Sequence, residues 1–151
     1  MAGVFVDTST LVRRYDVTEI GAHRIRSLCA PSAGHVVFIA QLTRLEVASA
    51  LNRKVREGIY PVEERDRLWR RFRLHERLQY RTIALDGATY GAAERLLFTR
   101  TLTAADAIQV ASGLRVAGLV LGLAGEFQFC TADRQQAIAA GGAGLRVDLI
   151  G

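Results

Sequence analysis

Four acidic residues stand at positions from which they could act together on a phosphate ester. Asp7 and Asp133 each follow a short apolar run that is typical of a buried strand. Glu46 and Asp106 lie near the starts of two predicted helices. If the strands are parallel, the ends of the strands and the first turns of the following helices meet at one edge of the sheet. We therefore treat the four carboxylates as one candidate site.

Each carboxylate also has a purely structural explanation. Asp7 and Asp133 could cap the helices that follow them, because Asp is a favoured N-cap residue. Glu46 and Asp106 could each complete a capping box with the threonine three positions earlier. Asp106 is the most informative of the four, since its predicted helix is apolar almost all round. A carboxylate buried on such a helix needs a partner, a proton or a metal ion.

The chemistry that suits such a group of carboxylates is metal-assisted phosphoryl transfer. Carboxylates that are crowded together repel one another, and a divalent cation relieves the repulsion. Mg²⁺ prefers oxygen ligands and keeps some of its waters. The metal lowers the pKa of a bound water, which then serves as the nucleophile, and a second metal can stabilise the leaving oxygen. The pattern therefore predicts hydrolysis of a phosphodiester without a serine, cysteine or histidine nucleophile.

The elements that must position these residues alternate between strand and helix. Strands are predicted at 4–6, 36–39, 81–85, 127–130 and 145–150. Helices are predicted at 18–30, with Thr18 as the N-cap, and at 42–56, 62–78, 86–99, 103–117 and 134–140. This alternation predicts a single α/β domain with a mostly parallel central sheet and helices on both faces.

Composition narrows the class of protein. The chain has 151 residues, half of them hydrophobic, and can bury a core without disulfides. Its formal net charge is +5, carried by arginine, because Lys54 is the only lysine. This charge suits a nucleic acid or an acidic protein as partner. Cys29 and Cys130 are predicted to be buried free thiols. The sequence has no signal-peptide pattern, and its longest apolar run, 116–125, is too short to span a bilayer, which predicts a cytoplasmic protein without a membrane anchor.

Four segments, in this order and spacing, resemble the PIN-domain family, and in particular the VapC-like toxin ribonucleases of toxin–antitoxin pairs. They are Val-Phe-Val-Asp-Thr-Ser at 4–9, Leu-Glu-Val at 45–47, Ala-Asp-Ala-Ile-Gln-Val-Ala at 105–111 and Thr-Ala-Asp at 131–133. The likeness runs almost end to end. It implies a PIN-like three-layer α/β/α sandwich and a Mg²⁺- or Mn²⁺-dependent endonuclease that acts on RNA.

The resemblance also implies roles for particular residues. The catalytic and metal-binding set would be Asp7, Glu46, Asp106 and Asp133. Asp7 and Asp106 are the first choice of direct metal ligands. Thr8, Ser9 and Thr131 would orient carboxylates or waters, although each could equally be an ordinary turn residue. The family usually forms homodimers and its toxin members are blocked by an antitoxin, so both kinds of partner are expected.

The predicted helix 62–78 is rich in arginine. Candidate contacts to RNA phosphates or to an acidic antitoxin segment are Arg70, Arg71, Arg73 and Arg77. The alternative is a solvated face, with Leu68, Phe72 and Leu78 turned toward the core and nearby acidic residues offsetting part of the charge.

The stretch between Asp106 and Asp133, which includes the segment 119–126, is longer and richer in glycine than the commonest family pattern. We interpret this segment as either an extended helix end or an added loop. In either case it affects the placement of Asp133 more than that of the other carboxylates.

Three other classes of protein share some of these features. A non-catalytic module on the same fold could bind RNA or a protein, although the presence of all four carboxylates argues against it. A phosphatase with an aspartyl nucleophile commonly carries a second aspartate two residues after the first, where this chain has Ser9. A phospho-receiver domain needs a lysine near the site, and Lys54 lies elsewhere in the pattern.

Overall fold

Strands and helices alternate as predicted in the computed structural model, which describes residues 2–16, 18–123 and 125–151. The strands are β1 (Ala2–Val6), β2 (Val36–Ala40), β3 (Tyr80–Ile83), β4 (Glu126–Thr131) and β5 (Val147–Leu149). The helices are α1 (Thr8–Leu11), α2 (Ala22–Cys29), α3 (Gln41–Arg56), α4 (Val62–Leu78), α5 (Gly87–Thr99), α6 (Ala104–Gly122) and α7 (Arg134–Gly142).

The five strands form one sheet in the order β3-β2-β1-β4-β5, and every neighbouring pair is parallel. β1 therefore occupies the centre. Val6, the last residue of β1, lies opposite Cys130 of β4, and the backbone N–H of Asp7 donates to the Cys130 carbonyl at 3.1 Å. The register places the segments that follow β1 and β4 side by side at the carboxyl edge of the sheet.

Apolar side chains cover both faces of the sheet. Val4 and Val6 belong to one buried cluster and Phe5 to the other, because successive residues of a strand face opposite sides. The first cluster also contains residues of α2, α3 and α4, and the second contains residues of α5 and α6. This arrangement confirms the predicted three-layer α/β/α sandwich.

Helix α6 packs closely against the sheet. A Cβ atom at Gly113 would lie 2.6 Å from Cδ2 of Phe129, whose ring stacks on that of Phe5 with centroids 5.2 Å apart. By length and composition alone α6 is the one helix in the described ranges that could cross a membrane, with half of its apolar window buried inside the fold. We attribute its apolar character to this packing.

Three local predictions are wrong or incomplete. The helix predicted at 18–30 begins only at Ala22, and Thr18 is not its cap. Instead, the N–H and Oγ1 of Thr18 donate to Oδ1 of Asp16 at 3.0 and 2.6 Å, which forms a turn before the helix. Leu78, predicted to face the core, is 73% exposed. The helix predicted to end at 117 continues to Gly122.

The segment 119–126 is thus mainly a helix end. Its first four residues belong to α6 and its last residue begins β4, while residue 124 lies outside the described residues. Helix α1 (Thr8–Leu11) was not predicted. The other predicted elements lie within a few residues of their expected bounds. The prediction of buried free thiols is confirmed for Cys29 and Cys130.

Candidate active site

Asp7 is the most deeply buried of the four predicted acidic residues. Its side chain is fully buried, and Oδ1 accepts hydrogen bonds from Ser9 Oγ at 2.9 Å and from the N–H of Thr10 at 3.0 Å. Oδ2 accepts from Ser9 Oγ at 2.8 Å and from Thr131 Oγ1 at 2.7 Å. Burial raises the pKa of Asp7 to about 6, although the hydrogen bonds from Thr131, Thr10 and Ser9 favour the ionised form.

Glu46 is held by a polar network between three helices. Its Oε1 accepts from Nε2 of Gln109 on α6 at 2.7 Å and from Oγ1 of Thr8 on α1 at 2.9 Å. The hydroxyl of Thr43 lies 3.1 Å from both Gln109 Nε2 and Thr8 Oγ1. Because α3 begins at Gln41, Thr43 lies within the helix, and the capping-box explanation of Glu46 is wrong.

Asp106 and Asp133 are joined through α7. Oδ1 of Asp106 accepts from Nε2 of Gln136 at 2.9 Å, and Oδ1 of Asp133 accepts from the backbone N–H of the same glutamine at 2.9 Å. Thr103 caps α6, since its Oγ1 accepts from the N–H of Asp106 at 3.2 Å. The capping explanation is therefore correct for Asp133 and also for Asp7, which caps α1. For Asp106, the carboxylate faces α7.

Three of the four carboxylates line one cleft. Glu46, Asp106 and Asp133 line a cavity of about 260 Å³. Ser9, Thr8 and the two glutamines also contribute to its walls. Asp7 lies behind the cleft and is connected to it through Ser9. The structure thus brings the predicted acidic residues to one edge of the sheet. Three of them line the cleft, and Asp7 is fully buried behind it.

The three cleft carboxylates share a pattern that Asp7 lacks. In each, one oxygen accepts a hydrogen bond from the protein, and the second oxygen has no such donor among the described residues. In Asp7 both oxygens are engaged: the N–H of Thr10 donates to Oδ1, the hydroxyl of Thr131 donates to Oδ2, and the hydroxyl of Ser9 lies within hydrogen-bond distance of both. Glu46, Asp106 and Asp133 are therefore the carboxylates that present free oxygen atoms to the cleft.

The donor chemistry and charge of the cleft suit a hard divalent cation. The lining carboxylates and hydroxyls supply oxygen atoms, which Mg²⁺ prefers. Within the described ranges, no ion pair involves any of the four predicted acidic residues. The only cationic side chain in the lining is Arg53. In their present rotamers, however, no three acidic, histidine or cysteine side chains of the described chain are grouped closely enough to hold one metal ion.

Gln109 and Gln136 are the site residues that the sequence reasoning missed. Both are almost fully buried, at 1% and 3% exposure. The sequence does indicate a role for Gln109, because this residue lies one helical turn after Asp106 on a helix whose other side chains are mostly apolar. A buried amide in such surroundings needs a polar partner. Gln136 occupies the third helical position after the Asp133 cap, where a capping box carries Glu or Gln.

A second, larger groove adjoins the cleft. It has a volume of about 560 Å³ and shares Val12, Ala50 and Arg53 with the cleft. We call it the basic groove; its cationic residues are Arg26, Arg53, Lys54, Arg67 and Arg71. Lys54 lies 3.9 Å from both Asp16 and Glu19, and Arg67 pairs with Glu64 at 2.6 Å. Arg53 and Arg71 form no ion pair with any described residue.

The four arginines predicted to make contacts differ in their surroundings. Arg71 lines the basic groove. Arg73 pairs with Glu76 at 2.9 Å and lies over the ring of Trp69. Arg70 and Arg77 are exposed on α4 and line neither cavity. Arg71 is thus the only one of the four that adjoins the candidate site.

Comparison with known proteins identifies the fold. The crystal structure of FitAcB from Neisseria gonorrhoeae has a TM-score of 0.66 and 13% identity, and the alignment covers 95% of each chain. VapC20 from Mycobacterium tuberculosis, a sarcin–ricin loop cleaving toxin, has a TM-score of 0.64 and 19% identity over 94% of this chain and 95% of that one. VapBC2 from Rickettsia felis, bound to a promoter DNA fragment, has a TM-score of 0.63 and 6% identity over 99% of each chain.

No protein-family model matches the sequence, and a search of curated proteins also finds no match. At these identities the structural likeness defines the fold. The chain has the PIN-like α/β/α fold that the VapC and FitAB structures share. The resemblance drawn from the four sequence segments is therefore confirmed at the level of the fold.

Proposed function

We propose that this protein is a Mg²⁺- or Mn²⁺-dependent endoribonuclease that hydrolyses RNA phosphodiesters, and that it is the toxin of a toxin–antitoxin pair. The observation that carries the proposal is the cleft in which Glu46, Asp106 and Asp133 meet with free oxygens and without an ion-pair partner. The shared fold with VapC20, a toxin that cleaves an RNA loop, supports the same reading.

In this proposal the chain supplies the cation ligands and fixes their orientation. Glu46, Asp106 and Asp133 would hold the cation, which when bound provides a water of lowered pKa as nucleophile. Asp7 adds a negative charge behind them at neutral pH, since its pKa is about 6. Both oxygens of Asp7 already accept hydrogen bonds from Ser9, Thr10 and Thr131, and its side chain is fully buried, so we assign direct ligation first to the three cleft carboxylates.

The basic groove would carry the RNA strand toward the cleft. Arg53 lies at the junction of the two cavities and Arg71 lies farther along the groove. Neither guanidinium has a carboxylate partner in the described chain, so both are free to contact phosphate oxygens. We also propose an antitoxin partner, a homodimer and a cytoplasmic location. The likeness to VapBC2 and FitAB, which are complexes, supports the antitoxin partner.

One observation favours a second candidate function, a non-catalytic module that binds RNA or protein. Glu46 and Asp106 are both hydrogen-bonded to glutamine amides, and no three acidic side chains are grouped for one ion in the described ranges. If this conformation persisted in the presence of Mn²⁺, the cleft would bind ligands without activating a water.

A cleavage assay distinguishes the two functions. Purified protein is incubated with structured and unstructured RNAs in Mg²⁺ or Mn²⁺, and in parallel with EDTA. We expect cleavage that EDTA stops and that Asp106→Asn abolishes, because this variant removes a charge but little volume. Glu94→Gln is the matched control, since Glu94 is exposed on α5. Absence of metal-dependent cleavage of every RNA tried would favour the binding module.

A further inference from the structure

The two buried glutamines connect the cleft carboxylates to one another across helices. Gln109 on α6 donates to Glu46 on α3, at 2.7 Å. Gln136 on α7 donates through its side chain to Asp106 on α6 and through its backbone N–H to Asp133, each at 2.9 Å. Glu46 and Asp106 are thus each anchored by a glutamine side chain, whereas Asp133 accepts the backbone N–H at position 136 as the cap of α7.

The hydrogen bonds fix which way each amide group faces. An ionised carboxylate can only accept, so the Nε2 of each glutamine must be the atom that faces it. The amide oxygens, Oε1 of Gln109 and Oε1 of Gln136, are buried and have no hydrogen-bond partner among the described residues. A buried acceptor without a donor costs free energy. The orientation of each glutamine amide is therefore decided by the carboxylate to which its Nε2 donates, since the amide oxygen has no donor in its own surroundings.

The anchoring leaves the cation-facing oxygens unobstructed. Gln109 and Thr8 both donate to Oε1 of Glu46, and Gln136 donates to Oδ1 of Asp106. No residue of the described chain donates to Oε2 of Glu46 or to Oδ2 of Asp106. The amides therefore restrict the rotation of the carboxylates without competing for the oxygen that a cation would take. Partners of this kind orient the ligands of metal sites.

We propose that Gln109 and Gln136 are positioning residues, which hold Glu46 and Asp106 in place beside Asp133 and thereby set the affinity of the cleft for a divalent cation. This inference rests on the proposed function, because it takes the cleft to be a cation site. Each glutamine acts through the carboxylate to which its side chain donates.

The test is calorimetric titration of Mn²⁺ into the full chain, with melting temperatures measured in EDTA. Gln109→Met and Gln136→Met keep the approximate volume and remove the side-chain donors to Glu46 and Asp106, while the backbone N–H at position 136 still caps Asp133. We expect each to raise the Kd for Mn²⁺ by about 10- to 100-fold. Gln135→Met is the control, because Gln135 is exposed on the same helix as Gln136, and its Kd should equal that of the wild type.

The possible outcomes separate this inference from the proposed function. Suppose that the wild type binds Mn²⁺ and that the folded variants Gln109→Met and Gln136→Met bind it with an unchanged or lower Kd. This result would overturn the positioning role and leave the proposed function intact. A lower melting temperature with unchanged Kd would show a merely structural role and would overturn it too. A wild-type chain that binds no Mn²⁺ would overturn the proposed function and this inference together. If a methionine variant does not fold, Gln109→Asn and Gln136→Asn, which keep an amide but shorten its reach, should raise the Kd in the same way.

Discussion

The hydroxyl of Thr131 donates a 2.7 Å hydrogen bond to Oδ2 of Asp7, across 124 positions of the chain. The bond joins the last residue of β4 to the residue that follows β1, at the point where these neighbouring strands end side by side. Ser9 and Thr10 also donate to Asp7. The orientation of this buried carboxylate is therefore fixed from two sides, by the first turn of α1 and by the last residue of β4.

Replacing Thr131 by valine tests this relationship. Thr131→Val keeps the shape of the side chain but removes the donor, so Oδ2 of Asp7 loses one of its two hydrogen bonds. We expect the free energy of unfolding at pH 7 to fall by about 1–3 kcal/mol, and the pKa of Asp7 to rise further. Urea unfolding at pH 7 measures the first effect. Thr101→Val, at an exposed position, should change stability by less than about 0.5 kcal/mol, and equal stability of the two variants would contradict the argument.

The pH dependence of stability should contain two opposing contributions. Burial raises the pKa of Asp7 from 3.8 to about 6, so between these values the folded state binds more protons than the unfolded state at this site. This contribution to stability is fully present below pH 3.8 and is lost as the pH rises through 6; it amounts to about 3 kcal/mol. In contrast, burial, with the charges of Arg14 and Arg71, lowers the pKa of His75 from 6.5 to about 4.

For His75 the unfolded state binds more protons, so this contribution is present above pH 6.5 and is lost as the pH falls through 4. The pH ranges over which Asp7 and His75 change stability overlap between about 4 and 6, and their opposite contributions to the free energy of unfolding partly cancel in the wild type. We expect Asp7→Asn to make stability rise more steeply with pH between 4 and 6 than in the wild type. His75→Asn should make stability fall across the same range relative to the wild type. Urea midpoints at intervals of half a pH unit would measure both, and parallel profiles for all three proteins would contradict the assignment.

Two glycines of α6 should respond in opposite ways to alanine. At Gly113 an added Cβ would lie 2.6 Å from Cδ2 and 2.7 Å from Cε2 of the buried Phe129 ring. We expect Gly113→Ala to lower the free energy of unfolding by about 1–3 kcal/mol, because the ring must move. Gly118 has no heavy atom within 4 Å of such a Cβ, so Gly118→Ala should stabilise the protein by up to about 1 kcal/mol. Thermal unfolding of both variants tests the packing of α6 on β4.

The basic groove predicts which arginines contact the RNA strand. Arg53→Gln and Arg71→Gln should each weaken RNA binding and reduce the slope of log K against log salt by about 0.7, the value for one lost phosphate contact to a single strand. Arg77→Gln should leave the slope unchanged, because Arg77 is exposed outside the groove. Fluorescence anisotropy with a catalytically inactive Asp106→Asn background measures binding without cleavage. A slope that responds to Arg77 and not to Arg53 would place the RNA elsewhere.

The sequence predicted the sheet, and the edge at which the acidic residues gather, because both depend on strong local signals. Short apolar runs followed by aspartate identified β1 and β4, and the alternation with helices required parallel connections. The arginine-rich helix was predicted with the bounds that the structure gives, Val62–Leu78. Pro61 before it and the loss of periodicity after it are both visible along the chain.

The parts that were missed depend on contacts between distant segments. The amides of Gln109 and Gln136 acquire their roles only when α6 lies between α3 and α7. The full burial of Asp7, compared with the half-buried Asp106, likewise depends on contacts that form only when α1 packs against α3 and β4. Thr18 does not cap a helix, because its hydroxyl donates to Asp16, two positions earlier, and the two residues form a local turn.

The two strands that fix Asp7 lie far apart in the chain, and this has a consequence for folding during synthesis. Thr131, which donates to Asp7, follows it by 124 positions. Asp133 and Gln136 come later still, and both line the cleft. A chain whose translation stops before α7 therefore has no complete cleft.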